Sequence, residues 1–129
     1  MAKVVVTGKI PAVALERLRA EHTVDAWEDE SPIARDELLK RVAGADAIVS
    51  LLTERIDAEL LDAAGKQLRS VSNAAVGYNN IDVPACRERN VLVTNTPGVL
   101  TEATADIAMA LILMSTRRLA EGERVIRAQ

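Results

Sequence analysis

One loop of this 129-residue chain has the composition of an anion site. Ala74-Ala75-Val76-Gly77-Tyr78-Asn79-Asn80 follows a strand-like run and carries a glycine at its middle. Glycine lets a ligand approach the backbone closely. Amides freed from a strand ladder form a nest that suits a carboxylate. A second reading stays open beside it, that Gly77 only permits a tight turn. Three other loops also follow strand-like runs: Thr7-Gly8-Lys9, Ser50-Leu51-Leu52-Thr53 and Thr94-Asn95-Thr96.

Other chemistries lack their residues. His22 is the sole histidine and Cys86 the sole cysteine, so a zinc set and an intramolecular disulfide are both excluded. His22 closes a helix, where a cation is an ordinary surface residue. Cys86 lies in a short helix and reads as a small apolar side chain. Six glycines occur and no two are separated by one residue, so there is no G-x-G-x-x-G; Gly8-Lys9 is not a P-loop. A phosphate-accepting receiver domain would need acidic residues where Thr7-Gly8 and Ser50-Leu51 stand. No Phe, one Tyr and one Trp leave nothing to stack a flavin or a base. A net charge of −3 gives no electrostatic reason for nucleic acid. No window is long and apolar enough for a membrane span, and Val4–Val6 is too short for a signal peptide. A lone cysteine fits a reducing, cytoplasmic setting.

The elements that must position these loops alternate. Val4–Val6, Thr23–Trp27, Ala47–Leu51, Leu68–Ala74 and Val91–Val93 read as strands. Between them run four helices: one with Pro11 at its first position, one opened by Ser31-Pro32 and ended by Gly44, one capped by Asp57 and closed by Gly65, and one capped by Asp82. Such alternation predicts an α/β fold, a doubly wound, flavodoxin-like five-stranded parallel sheet covered on both faces, in strand order 2-1-3-4-5. In such sheets ligands bind beyond the carboxyl ends of the strands, where the loops above lie.

After Pro97-Gly98, Thr101 reads as the N-cap of a long C-terminal helix. Its centre, Ile107-Ala108-Met109-Ala110-Leu111-Ile112-Leu113-Met114, is apolar on every side. A helix of that kind must be buried all round. It therefore belongs between two bodies, of which this chain supplies one. The expected organisation is a domain over 1–100 and a connecting helix over 101–129. The helix either folds back on its own sheet or packs on a second copy. The second course is expected, as a homodimer, with a domain-swapped form among its variants.

Ala75-Val76-Gly77-Tyr78-Asn79-Asn80-Ile81-Asp82, the run from Val93 to Asp106 with its Asn95-Thr96-Pro97-Gly98-Val99-Leu100-Thr101, and Ser50 to Asp57 resemble the D-isomer-specific 2-hydroxyacid dehydrogenases, specifically the glyoxylate/hydroxypyruvate reductases. The resemblance covers essentially the whole chain. It implies a flavodoxin-like substrate-binding domain and the helix that leaves it. The Rossmann domain, with its dinucleotide fingerprint and catalytic Arg, Glu and His, has no counterpart here. In the family, His exchanges the hydroxyl proton and Arg polarises the carbonyl. The resemblance places the substrate carboxylate on the amides of Val76 and Gly77, lines the substrate side with Leu51, Leu52 and Thr53, and sets Thr104 near the cofactor. It supplies no catalytic residue. The expectation is a truncated substrate-binding half, inactive alone, binding a small 2-oxo or 2-hydroxy acid weakly if at all. It would hold no cofactor by itself, where the parent family uses NAD(P)H. The alternative is a stand-alone module that binds small carboxylates or associates with itself.

Overall fold

The computed structural model describes residues 1–128. Elements alternate as β1 (Lys3–Val6), α1 (Ala12–Glu21), β2 (Thr23–Ala26), α2 (Arg35–Val42), β3 (Ala47–Ser50), α3 (Ala58–Ala64), β4 (Ser70–Asn73), α4 (Val83–Glu88) and β5 (Leu92–Thr94). Two helices follow, α5 (Thr101–Thr116) and α6 (Leu119–Arg127). The chain forms two compact units, Met1–Pro97 and Gly98–Gln129.

The first unit is the expected doubly wound sheet, all parallel, in the order β2-β1-β3-β4-β5. Val5, Ile48, Val71 and Val93 align across four strands and face one side. Against them pack Leu38 and Val42 of α2, Leu60, Leu61 and Ala64 of α3, and Ala85 and Cys86 of α4. Burial of each large aliphatic side chain stabilises by roughly 1.5–3 kcal/mol.

Both faces carry helices, as expected, but the cover is uneven. Three crossovers, β2 to β3, β3 to β4 and β4 to β5, step across the sheet in one direction. Right-handedness then puts α2, α3 and α4 on one face. Only the step from β1 to β2 runs the other way, so within this unit α1 alone serves the second face, with Leu15 near Val6 and Ala26. Beyond its reach Ala47, Val49, Ser70 and Ser72 are half-buried and Leu92 is 64% exposed.

Local signals set most boundaries. Asp57 caps α3, accepting from the Leu60 amide at 3.1 Å, and Asp82 caps α4, accepting from the Ala85 amide at 2.9 Å. Gly44 follows α2 with φ +74° and Gly65 follows α3 with φ +102°, left-handed geometry that glycine adopts without strain. Pro11 stands at the N-cap of α1 rather than inside it. Ser31-Pro32 does not open α2, which starts at Arg35. Ser31 is held instead in a turn, where its amide and hydroxyl both donate to Asp29. Thr101 is the first residue of α5 and not its cap, because the first turn closes on the Leu100 carbonyl.

In the second unit the helical segment is interrupted at Arg117-Arg118. Arg118 adopts left-handed geometry, φ 52° and ψ 40°, between α5 and α6. Along α5, Ile107, Met109, Leu111, Ile112, Leu113 and Met114 are 44–62% exposed.

Candidate functional site

The parallel sheet brings the carboxyl ends of β3 and β4 side by side, with Ser50 opposite Asn73. Their loops are stitched together by Asn80. Its Nδ2 donates to the Leu51 carbonyl at 2.9 Å and to the Glu54 carbonyl at 3.0 Å. Ile56 and Ile81 form a parallel bridge just beyond. A cleft of about 390 Å³ opens between the two loops, lined by Leu52, Thr53 and Arg55 on one side and Asn79, Asn80 and Asp82 on the other.

The loop after β4 is tied down by its carbonyls. The Ala75 carbonyl accepts from the Thr96 amide at 2.9 Å. The Val76 carbonyl accepts from Asn95 Nδ2 at 2.8 Å, and the Gly77 carbonyl from Asn73 Nδ2 at 2.8 Å. Among the described residues every peptide bond is trans, so each amide points away from the carbonyl of its own plane. The amides of Val76, Gly77 and Tyr78 are therefore turned away from those tethers. Among the described residues none of the three donates to a protein acceptor. Val76 is 40% exposed and Gly77 is exposed.

Gly77 has no positive φ, and a Cβ built on it meets nothing within 4 Å. The turn therefore does not require glycine, and the missing side chain leaves the amides open to close approach. Gly8, by contrast, is closely packed. A Cβ there would collide with Leu51 Cδ1. Leu51 thus closes over the turn after β1.

A carboxylate that sequence reasoning did not single out organises the opposite loop. Glu54 is 5% exposed and, among the described residues, forms no ion pair. Its Oε2 accepts from the Thr7 hydroxyl at 2.5 Å and from the Leu51 amide at 2.9 Å, and its Oε1 accepts from the Thr53 hydroxyl. Donors in this number satisfy a buried carboxylate. The arrangement locks the end of β1 to the loop that carries Leu51, Leu52 and Thr53.

Of the residues singled out from sequence, Leu51, Leu52 and Thr53 lie on the loop after β3 and Val76 and Gly77 on the loop after β4; Leu52 and Thr53 line the cleft. Leu52 is 58% exposed. Thr104 lies in the first turns of α5, in the second unit, and is exposed. The residues missed were Ser50, Asn73 and Glu54, buried polar groups at or beside strand ends. Cys86 is fully buried; burial first, then the nearby Asp82, pushes its thiol up, which leaves it a packing residue. Among the described residues no group of three His, Cys, Asp or Glu side chains is placed to hold a metal. The turn after β1, where a pyrophosphate would need open backbone, has the single Gly8 and is filled by Leu51.

The comparisons show the family of this fold. A model of the D-isomer specific 2-hydroxyacid dehydrogenase catalytic domain matches residues 4–123. The glyoxylate reductase of Thermococcus onnurineus is 48% identical over 126 residues, which is 98% of this chain and 37% of that protein. Among solved structures, a protein of Thermus thermophilus superposes with a TM-score of 0.85 at 42% identity, over 98% of this chain and 40% of that one. An NADPH-dependent glyoxylate/hydroxypyruvate reductase of Sinorhizobium meliloti, solved with NADP and malonate, superposes with a TM-score of 0.72 at 32% identity, over 99% of this chain and 38% of that one. The chain thus spans about two fifths or less of the relatives it matches. Fold order and these matches converge: the chain belongs to the D-isomer specific 2-hydroxyacid dehydrogenase family, whose members bind NAD(P)H, and it resembles the substrate-binding half of a glyoxylate/hydroxypyruvate reductase.

Proposed function

We propose that this chain holds the carboxylate of a small 2-oxo or 2-hydroxy acid for NAD(P)H-dependent reduction, and that the amides of Val76 and Gly77 are its donors. The observation that supports this most is the set of tied carbonyls, with those amides donating to no protein acceptor among the described residues. Oriented amides stabilise an anion without a basic side chain. Leu51, Leu52 and Thr53 form the facing wall, fixed by Glu54 and Asn80. Thr104 is assigned to the cofactor side of a complete active site. The Arg, Glu and His that transfer the proton and polarise the carbonyl in the family have no counterpart in this sequence. Reduction itself therefore needs a second body. A natural division runs near residue 100, with 1–100 as the substrate domain and 101–129 as the connecting helix. We assign the chain to the cytoplasm on its single buried thiol. Among the described residues no helix is long and apolar enough to cross a membrane. We assign α5 to contact with a second copy, as a homodimer.

The test is a titration of the 15N-labelled chain with oxamate, a stable mimic of a 2-oxo acid. The Val76 and Gly77 amide signals should move saturably, with Leu52 and Thr53 following. Signals that stay still would overturn the carboxylate assignment. In the same preparation, glyoxylate with NADPH should react no faster than without protein. Measurable turnover would refute the need for a second body.

A further inference from the structure

We infer that Asn73 is a positioning residue that adds a third donor, the Tyr78 amide, to the carboxylate nest; this rests on the reading of that loop given above. Asn73 ends β4 and is 2% exposed, a polar side chain on the face otherwise occupied by Val71. A buried amide must be satisfied on both its ends. Its orientation is forced by chemistry. The Gly77 carbonyl can only accept, so the group 2.8 Å from it is Nδ2. Oδ1 is then the atom that accepts from the Ser50 hydroxyl at 2.9 Å. The Asn80 side chain lies alongside, 3.3–3.4 Å from both ends. Asn73 thus cannot rotate without losing a partner.

The consequence falls on one peptide plane. Thr96 and Asn95 hold the carbonyls of Ala75 and Val76 from the segment after β5, and so orient the amides of Val76 and Gly77. Neither fixes the next plane. That plane, from Gly77 to Tyr78, is held by Asn73, which acts from beneath the loop. The Tyr78 amide is directed away from Asn73 and has no protein acceptor among the described residues. Asn73 touches no substrate in this account; it acts through Tyr78.

Asn73→Asp is the informative variant. It keeps the size, but an ionised carboxylate cannot donate to the Gly77 carbonyl. A protonated one can. Oxamate remains an anion throughout, so its affinity should be weakened at least roughly tenfold at neutral pH, about 1.4 kcal/mol. It should recover as the pH falls through the carboxylic-acid range. Wild type should show no such recovery, and a merely structural defect would worsen in acid. In wild type the Tyr78 signal should move with those of Val76 and Gly77; in the variant at neutral pH its N–H residual dipolar coupling should collapse while theirs persist. Should Asn73→Asp fail to fold, Ser50→Ala keeps the donor but frees its orientation, and a severalfold loss of oxamate affinity is expected. Unchanged affinity in a folded variant, or a Tyr78 signal indifferent to oxamate, overturns the role of Asn73 alone. Wild-type signals that ignore oxamate overturn the carboxylate reading and this inference with it.

Discussion

At the scale of single residues the site is made by what surrounds the backbone more than by side chains that face the ligand. Gly77 illustrates this. Its φ is one that any residue adopts, and a methyl group would meet no neighbour. Gly77→Ala should therefore leave unfolding in urea within about 0.5 kcal/mol of wild type, the usual range for an exposed substitution. It should still weaken oxamate, because a Cβ would stand over the open amides. A variant that binds oxamate normally would return Gly77 to an ordinary turn. Sequence spacing left these two readings open, since a glycine looks the same whether it serves a dihedral or an approach. The inward placement of Asn73 and Ser50 is legible in the sequence. Each lies two residues beyond an inward-facing aliphatic, Val71 or Ile48, so strand alternation alone puts both amide and hydroxyl inside. Their partners were not legible. Asn73 depends on a carbonyl four residues on, and the Val76 carbonyl on a side chain nineteen residues away.

At the scale of elements, short-range chemistry is readable in the sequence, whereas helix placement depends on long-range chirality. The β-branched run at Val4–Val6, the caps at Asp57 and Asp82 and the stops at Gly44 and Gly65 all act within a turn of the residues that signal them. The one-sided placement of α2, α3 and α4 follows from strand order and crossover hand together, and alternation of elements does not reveal it. Asp57 shows how a cap can also join elements. Besides the Leu60 amide it takes Arg35 from the start of α2, and Arg35 reaches Glu59 and the Arg55 carbonyl as well. Burial alone would raise the Asp57 carboxyl. The Arg35 hydrogen bond, the Leu60 amide and the charges of Arg35 and Arg55 outweigh it and hold the group below its ordinary value. A carboxyl depressed in the folded state stabilises above its unfolded value, near about 3.9, and that stabilisation is lost as pH falls through the folded value. Asp57→Ala should thus cost roughly 1 kcal/mol near neutral pH, as a lost cap does. The gap from wild type should narrow below about pH 3.9. Urea unfolding of both proteins across that range would show it, and a constant difference would mean that the Asp57 charge adds nothing to its shape.

At the scale of the whole molecule the open question is what the second unit meets. The sequence announced an all-round apolar helix centre, and six large apolar side chains of α5 stand 44–62% exposed. Its interruption was not announced, since Thr116-Arg117-Arg118-Leu119 holds neither proline nor glycine, yet Arg118 takes a left-handed conformation that costs an ordinary residue roughly 1–2 kcal/mol. Soluble chains seldom leave contiguous apolar surface of this kind uncovered. Covering a Leu, Ile or Met side chain stabilises by roughly 1.5–3 kcal/mol, so several of them repay the entropy of association that a single one would not. A second copy is a partner always present at the chain's own concentration, and a two-fold contact doubles each residue's contribution. Light scattering behind size exclusion should therefore report twice the 13.9 kDa chain mass. Replacement of Leu111 and Met114 by Glu should return it to the chain mass while the sheet's circular dichroism persists, because neither residue belongs to the core cluster of the first unit. Elution of the wild-type chain at its own mass at high concentration would sink the homodimer, and a dimer that survives both glutamates would move the contact away from α5.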